Sequence, residues 1–174
     1  NFNVSINDGA STTDVVAGEN VTVNATIENT GETTGTQTIS FSINGTERAT
    51  QEVSNLATGA SQDVEFTAET TAEDDNTTAE VASVDDTATR ILTVSEPANF
   101  SVAINNDAST TAVTAGENVT INATITNIGD LDGTQTITFS VNGTQEDSQE
   151  VANLSGDATE DVEFSFETEL ADDG

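Results

Sequence analysis

Cysteine, histidine, lysine, methionine, tryptophan and tyrosine are all missing from this 174-residue chain, and proline occurs once. Each absence removes a chemistry. Without Cys there is no disulfide and no thiolate; without His there is no imidazole to ligate a metal or move a proton near neutrality; without Lys there is no amine nucleophile. Only a carboxylate pair in a cleft, as glycosidases use, is left for catalysis, and seven Phe are the whole supply of rings on which a sugar could stack. We therefore expect neither an enzyme nor a bound cofactor. Arg48 and Arg90 are the sole basic residues, too few for a phosphate-binding surface, which excludes nucleic acid as a partner. No apolar run reaches the roughly 18 residues of a membrane span, so an export signal or anchor is expected outside these residues.

What the chain has in excess is acid. Thirty-two Asp and Glu against two Arg give a formal net charge of −30. At ordinary ionic strength such a surface pushes a compact state apart. At molar salt the screening length falls to about 3 Å and neighbouring carboxylates hardly sense one another. The composition therefore predicts a protein of a hypersaline medium. High net charge with few aromatics is also a signature of disorder, but the regular alternation described next argues against it.

The chain contains the same module twice. Residues 1–70 align without a gap onto residues 99–168 at an offset of 98, with 44 of 70 positions identical. Within the first module apolar residues fall at every second position, the period of strands with one buried face. Phe2, Val4 and Ile6 predict a first strand, Val21 to Ile27 a second, and Ile39, Phe41 and Ile43 a third. That third strand runs into Asn44-Gly45, a pair suited to a two-residue turn with positive φ, so a return strand over residues 47–53 should follow. Val64 and Phe66, then residues 79–84 and 90–94, complete about seven short strands. Seven strands in about 95 residues, rich in Thr and Val, predict an all-β fold of two tandem immunoglobulin-like antiparallel β-sandwiches. The expected organisation is one module over 1–94, a linker over 95–98 and a second module over 99–174. With no Cys pair and no Trp, each core is built from small aliphatics and Phe: Phe2, Phe41 and Phe66 in the first copy, Phe100, Phe139, Phe164 and Phe166 in the second.

The run from Val16-Ala17-Gly18-Glu19-Asn20 through Asn29-Thr30-Gly31, followed by Gly35-Thr36-Gln37 through Ile43-Asn44-Gly45, resembles the cell-adhesion-related domain of bacteria and archaea, CARDB. The second copy repeats it from Ala115-Gly116-Glu117-Asn118 to Val141-Asn142-Gly143. The resemblance implies immunoglobulin-like modules strung along secreted and cell-surface proteins. In versions this acidic it implies haloarchaeal surface proteins. It brings no catalytic motif.

Ten Asn-x-Ser/Thr triplets are candidate N-glycosylation sites: Asn3, Asn20, Asn24, Asn44, Asn76, Asn99, Asn118, Asn122, Asn142 and Asn153. A chain rich in Asn and Thr produces such triplets by chance. Asn20, Asn24, Asn118 and Asn122 alternate with apolar residues and are expected to face solvent, which favours Asn24 and Asn122. Asn44 and Asn142 are explained as well by the hairpin turn. Carboxylates cluster at Asp74-Asp75, Asp85-Asp86, Asp130-x-Asp132 and Asp172-Asp173, and oxygen ligands of this kind suit Ca²⁺. Asp130 and Asp132 are the first candidates, against the competing reading of a solvated acidic surface.

The second copy stops early, since Gly174 corresponds to Asn76, leaving no equivalent of residues 77–94. Three readings stand: the chain continues, its end is disordered, or strands from another subunit complete the module, as in donor-strand polymers. The last would join copies of this chain head to tail into a filament. Near-identical modules and a four-residue linker suit a structural protein outside the cell, a stalk, sheath or filament whose partners are further copies, other surface proteins and N-linked glycans. The alternative is an adhesin or an accessory binding module. Ile128 and Leu131, which replace Thr30 and Thr33, are the candidate subunit contact.

Overall fold

The computed structural model describes residues 1–169, and the Asp172-Asp173 pair lies outside them. The chain divides into two compact units, residues 1–95 and 96–174. Ser95, the first residue of the linker expected over 95–98, ends the last strand of the first unit. In the first unit β1 (Phe2–Ile6), β3 (Asn20–Asn29) and β6 (Ser61–Glu69) form one antiparallel sheet in the order β1-β3-β6. Facing it are β4 (Gly35–Ile43), β5 (Thr46–Leu56), β7 (Thr78–Ala82) and β8 (Thr87–Ile91), in the order β5-β4-β7-β8. Two three-residue strands, β2 (Asp14–Val16) and β9 (Thr93–Ser95), pair with each other in parallel.

The alternation explains the packing. Val21, Val23, Ala25 and Ile27 turn inward from β3; Ile39, Phe41 and Ile43 turn inward from β4; all seven are wholly buried between the sheets. Phe41 and Phe66 stack at 5.5 Å across the layer. The Asn44-Gly45 turn forms as the sequence predicts, with φ of 50° and 72° at the two positions. The predicted final strand over residues 90–94 is two strands, β8 and β9. Between them Leu92 drops into the core and the chain leaves one edge for a parallel pairing with β2. The strand expected over 79–84 ends at Ala82, because the Ser83 hydroxyl accepts from the Asp85 and Asp86 N–H groups and folds the chain into a turn, leaving Val84 exposed.

The second unit repeats half of this architecture. Strands β10 (Phe100–Ile104), β11 (Asn118–Asn127) and β14 (Thr159–Glu167) make the three-stranded sheet in the order β10-β11-β14. Opposite lies, among the described residues, the hairpin of β12 (Gly133–Val141) and β13 (Thr144–Leu154). Registers match residue for residue, including the two bulges of β4–β5, which recur in β12–β13. Residues 112–114, the counterpart of β2, form no strand, and no described residue of this unit takes the place of β9 beside them.

Candidate functional site

The site with the most unspent binding capacity is the open face of the second unit. In the first unit β7 pairs with β4 from Ser40↔Ala82 to Ile43↔Ala79, and Ala79, Val81, Leu92 and Val94 close the core over Val21, Val23, Phe41 and Ile43. Among the described residues no strand pairs with the corresponding edge of β12, Thr138 to Val141. Val119, Ile121, Phe139 and Val141 are accordingly half-exposed where their counterparts are wholly buried. They line a groove of about 730 Å³ with Val113 and Phe166. Phe166 stands where the first unit has Ala68, and it packs edge-on against Phe139 at 6.4 Å. A second depression of about 600 Å³ lies between β10 and β12, lined by Phe100, Val102 and residues 133–138. Val102 is 55 % exposed and its counterpart Val4 is 5 % exposed, the largest change between equivalent residues that the two units show in their described cores.

The turn joining β7 and β8 caps the neighbouring sheet. Phe2 N–H donates to Asp85 Oδ2 at 3.0 Å and Val4 N–H donates to Asp86 Oδ2 at 2.9 Å. The Gln37 amide donates to Asp85 at 2.6 Å, and the Ser83 hydroxyl donates to Phe2 O at 2.8 Å. The Gln37 amide first, and then the Phe2 N–H, hold the Asp85 carboxyl below the usual carboxylate range, against an opposing effect of burial. These two carboxylates blunt the outer edge of β1, satisfying N–H groups that would otherwise invite another strand. The corresponding edge of β10, at Phe100 and Val102, has no such turn among the described residues.

This accounts for two of the carboxylate pairs read as cation ligands. Asp85 and Asp86 are caps. Asp74 is buried, accepts from the Thr71 N–H at 2.9 Å and pairs with Arg48 at 3.3 Å, while Asp75 accepts from Val94 N–H at 2.8 Å. Asp130 accepts from Glu96 N–H at 2.7 Å and returns its own N–H to Glu96 O, fastening the start of the second unit; Asp132 is exposed. Among the described residues no three acidic side chains gather where a cation could be held.

The glycosylation triplets fall into distinct settings. Asn3, Asn20, Asn99 and Asn118 are exposed on or beside strands. Asn24 and Asn122, expected to face solvent freely, are half-buried, and their side-chain amides donate to Ala10 O at 2.7 Å and Ala108 O at 2.8 Å. A glycan there has to displace that bond. Asn44, Asn76, Asn142 and Asn153 all sit at positive φ, where asparagine is favoured on backbone grounds alone. Ile128 and Leu131 are 52 % and 38 % exposed on the β11–β12 loop.

Sequence reasoning missed one pair of residues entirely. Asn29 and Asn127 are buried at the ends of β3 and β11. The Asn29 amide donates to Thr33 O and Leu56 O, both at 2.8 Å, and its carbonyl accepts from Gly31 N–H at 2.9 Å. Asn127 repeats the set with Leu131 O, Leu154 O and Gly129 N–H. The signal was present: Asn29 has the same parity as Val21 to Ile27, so a polar residue was bound to point inward.

The CARDB family profile matches residues 2–96 and again residues 92–174. No curated protein matches the chain. Among solved structures, red sea bream transglutaminase aligns over 97 % of this chain and 27 % of its own, at 12 % identity and a TM-score of 0.33, a likeness that carries no argument about function. This chain thus spans about a quarter of that protein's length.

Proposed function

The chain belongs to the CARDB family, whose immunoglobulin-like modules are associated with surface and adhesion-type proteins, and from that premise we propose that it is a non-catalytic structural protein outside the cell in a hypersaline medium. In this reading it is the subunit or stalk of a surface filament, sheath or appendage. Its units repeat head to tail, with N-linked glycans and carboxylates facing brine. The observation that carries the proposal is the tandem repetition of one module, matched twice by the same family and folded with the same strand registers. Strand donation between subunits would join such modules head to tail into a polymer. The acidity supports brine: among the described residues two carboxylates meet an arginine, at Arg48–Asp74 and Arg90–Asp8, and a surface this acidic is helped by the screening that salt supplies.

A second reading, an adhesin or accessory binding module that engages other surface proteins, is favoured by exposed Ile128 and Leu131, which give the second unit's loop an apolar contact that Thr30 and Thr33 do not offer. Electron microscopy of native material in molar salt, with particle mass from light scattering, separates the two. Ordered filaments with a repeat of about two modules support the structural reading, and discrete monomers overturn it in favour of the binding module.

A further inference from the structure

We propose that Asn20 and Asn118 are the N-glycan attachment sites that the two units share, each carrying an oligosaccharide on its side-chain amide. The proposal rests on the extracellular reading above and names where its glycans sit.

Three pairs of acceptor triplets recur at the same place in both units: Asn20 with Asn118, Asn24 with Asn122, and Asn44 with Asn142. The structure separates them. The Asn24 and Asn122 amides are engaged by Ala10 O and Ala108 O, and both side chains are half-buried, so a sugar on that nitrogen displaces a bond the fold uses. Asn44 and Asn142 hold φ of 50° and 48° in the hairpin turn, and the turn alone accounts for asparagine there. Asn20 and Asn118 have neither tie. Both are exposed, and among the described residues neither amide has a hydrogen-bond partner. Both lie outside the left-handed region and open a strand, β3 or β11, where asparagine is otherwise an unfavourable choice.

The backbone beneath these two residues is fixed on both sides. Gly18 N–H donates to Thr70 O at 2.8 Å, Glu19 N–H donates to Val16 O at 2.9 Å, and the Thr70 N–H and hydroxyl both donate to Glu19 O at 2.9 Å. The second unit repeats this corner bond for bond. Gly116 N–H donates to Thr168 O at 2.8 Å, Glu117 N–H to Thr114 O at 2.9 Å, and the Thr168 N–H and hydroxyl to Glu117 O at 3.0 and 2.9 Å. A glycan on the amide nitrogen leaves every one of these bonds in place. Across the sheet it meets exposed Glu69 or Glu167, and along its own strand Thr22 or Thr120, so the sugar rests among carboxylates, hydroxyls and water.

The donor is an oligosaccharide linked to a lipid phosphate. In the transfer the Asn Nδ2 forms a bond to the anomeric carbon as that carbon's bond to the phosphate oxygen breaks. The nitrogen gives up one of its two protons, and the lipid phosphate leaves with the bonding electrons.

The test is glycopeptide mass spectrometry of native protein, with fragmentation that keeps the glycan attached and assigns it to a residue. A glycan is expected on Asn20 and on Asn118, with Asn24 and Asn122 bare. Asn20→Gln combined with Asn118→Gln should lower the protein's mass by one glycan per unit, and Asn24→Gln combined with Asn122→Gln should leave the glycan mass unchanged. The Asn20 and Asn118 side chains are exposed and without partners, so the first variant folds. Bare Asn20 and Asn118 overturn the proposal, as does a glycan on Asn24 and Asn122, or on Asn44 and Asn142, in their stead. So does a glycan on one of the two alone, because the corner that presents them is the same in both units. The two proposals fail separately: filaments with bare Asn20 and Asn118 sink the glycan sites alone, and glycans at both on a protein monomeric under the microscope sink the filament alone.

Discussion

The two units share 44 of 70 residues up to Thr70 and Thr168, yet among the described residues the first encloses much the larger core. Among the described residues seventeen buried apolar side chains make the first core, and seven make the second. Phe2, Val21, Val23, Phe41 and Ile43 are buried, and their counterparts Phe100, Val119, Ile121, Phe139 and Val141 are not, although all but two of the five pairs are identical in residue type. Burial is thus not a property of a strand. It is conferred by whatever lies across from it, and here that is β7 to β9. What both units keep intact is the shared frame: the β3–β6 and β11–β14 pairings, the bulged hairpins, the Asn-Gly turns and the buried Asn29 and Asn127.

Withdrawal of salt should widen the difference most. Sixteen acidic residues fall in each unit and both arginines fall in the first, so the second carries a net −16 against −14 with far less core to oppose it. On dilution from molar salt toward 0.1 M the second unit is expected to unfold first and completely. Hydrogen exchange resolved by unit checks this, and simultaneous loss of both would show that the difference in core size matters less than charge.

Matched core substitutions come next. Phe41→Ala removes a wholly buried ring stacked on Phe66 and should cost about 3–5 kcal/mol. Phe139→Ala removes a ring that keeps one side in solvent and should cost about half as much by the same scale, in denaturant titrations at fixed salt. Equal costs would mean that the face of the second unit is closed in solution. Asn29→Ala and Asn127→Ala are the control for this contrast. Asn29→Ala takes the amide partner from two carbonyls and one N–H, and Asn127→Ala from two carbonyls and two N–H groups, so each should destabilise its own unit by about 2–4 kcal/mol, closely alike in the two despite their different cores.

The strands that could be read from the sequence are those whose partners impose a strict alternation. β1, β3, β4 and β6 show it because one face meets the core along their whole length, and Asn44-Gly45 marks a turn because few other residues tolerate positive φ twice. β2 and β9 did not announce themselves. Three residues are too few for a period to show, and a parallel pairing of segments nearly 80 residues apart leaves no local trace. Asp85 and Asp86 were illegible for another reason: in a chain with 32 acidic residues a carboxylate that caps a strand looks like one that only meets water. The open face was visible as an early end to the repeat. Its lining followed from matching the two copies, but the role of Phe166 as a ring packed into that groove needed the geometry.

The smallest effect distinguishes the capping turn itself. Asp85 is held below the usual carboxylate range by the Gln37 amide and the Phe2 N–H, interactions that the unfolded chain lacks. Its folded form therefore releases its proton at lower pH than its unfolded form. The stabilisation it gives is complete above the unfolded value, about 3.9 for Asp, and is lost as pH falls through the lower folded value. Asp85→Asn should flatten the acid limb of the first unit's stability curve below about pH 4 and leave the limb of the second unit unchanged, since among the described residues none of that unit holds the corresponding place. Measured in molar salt, where general charge repulsion is screened, the difference between the two limbs isolates this one carboxylate. An unchanged first limb would show that the β7–β8 turn holds β1 by shape and by the Asp86 and Ser83 bonds alone.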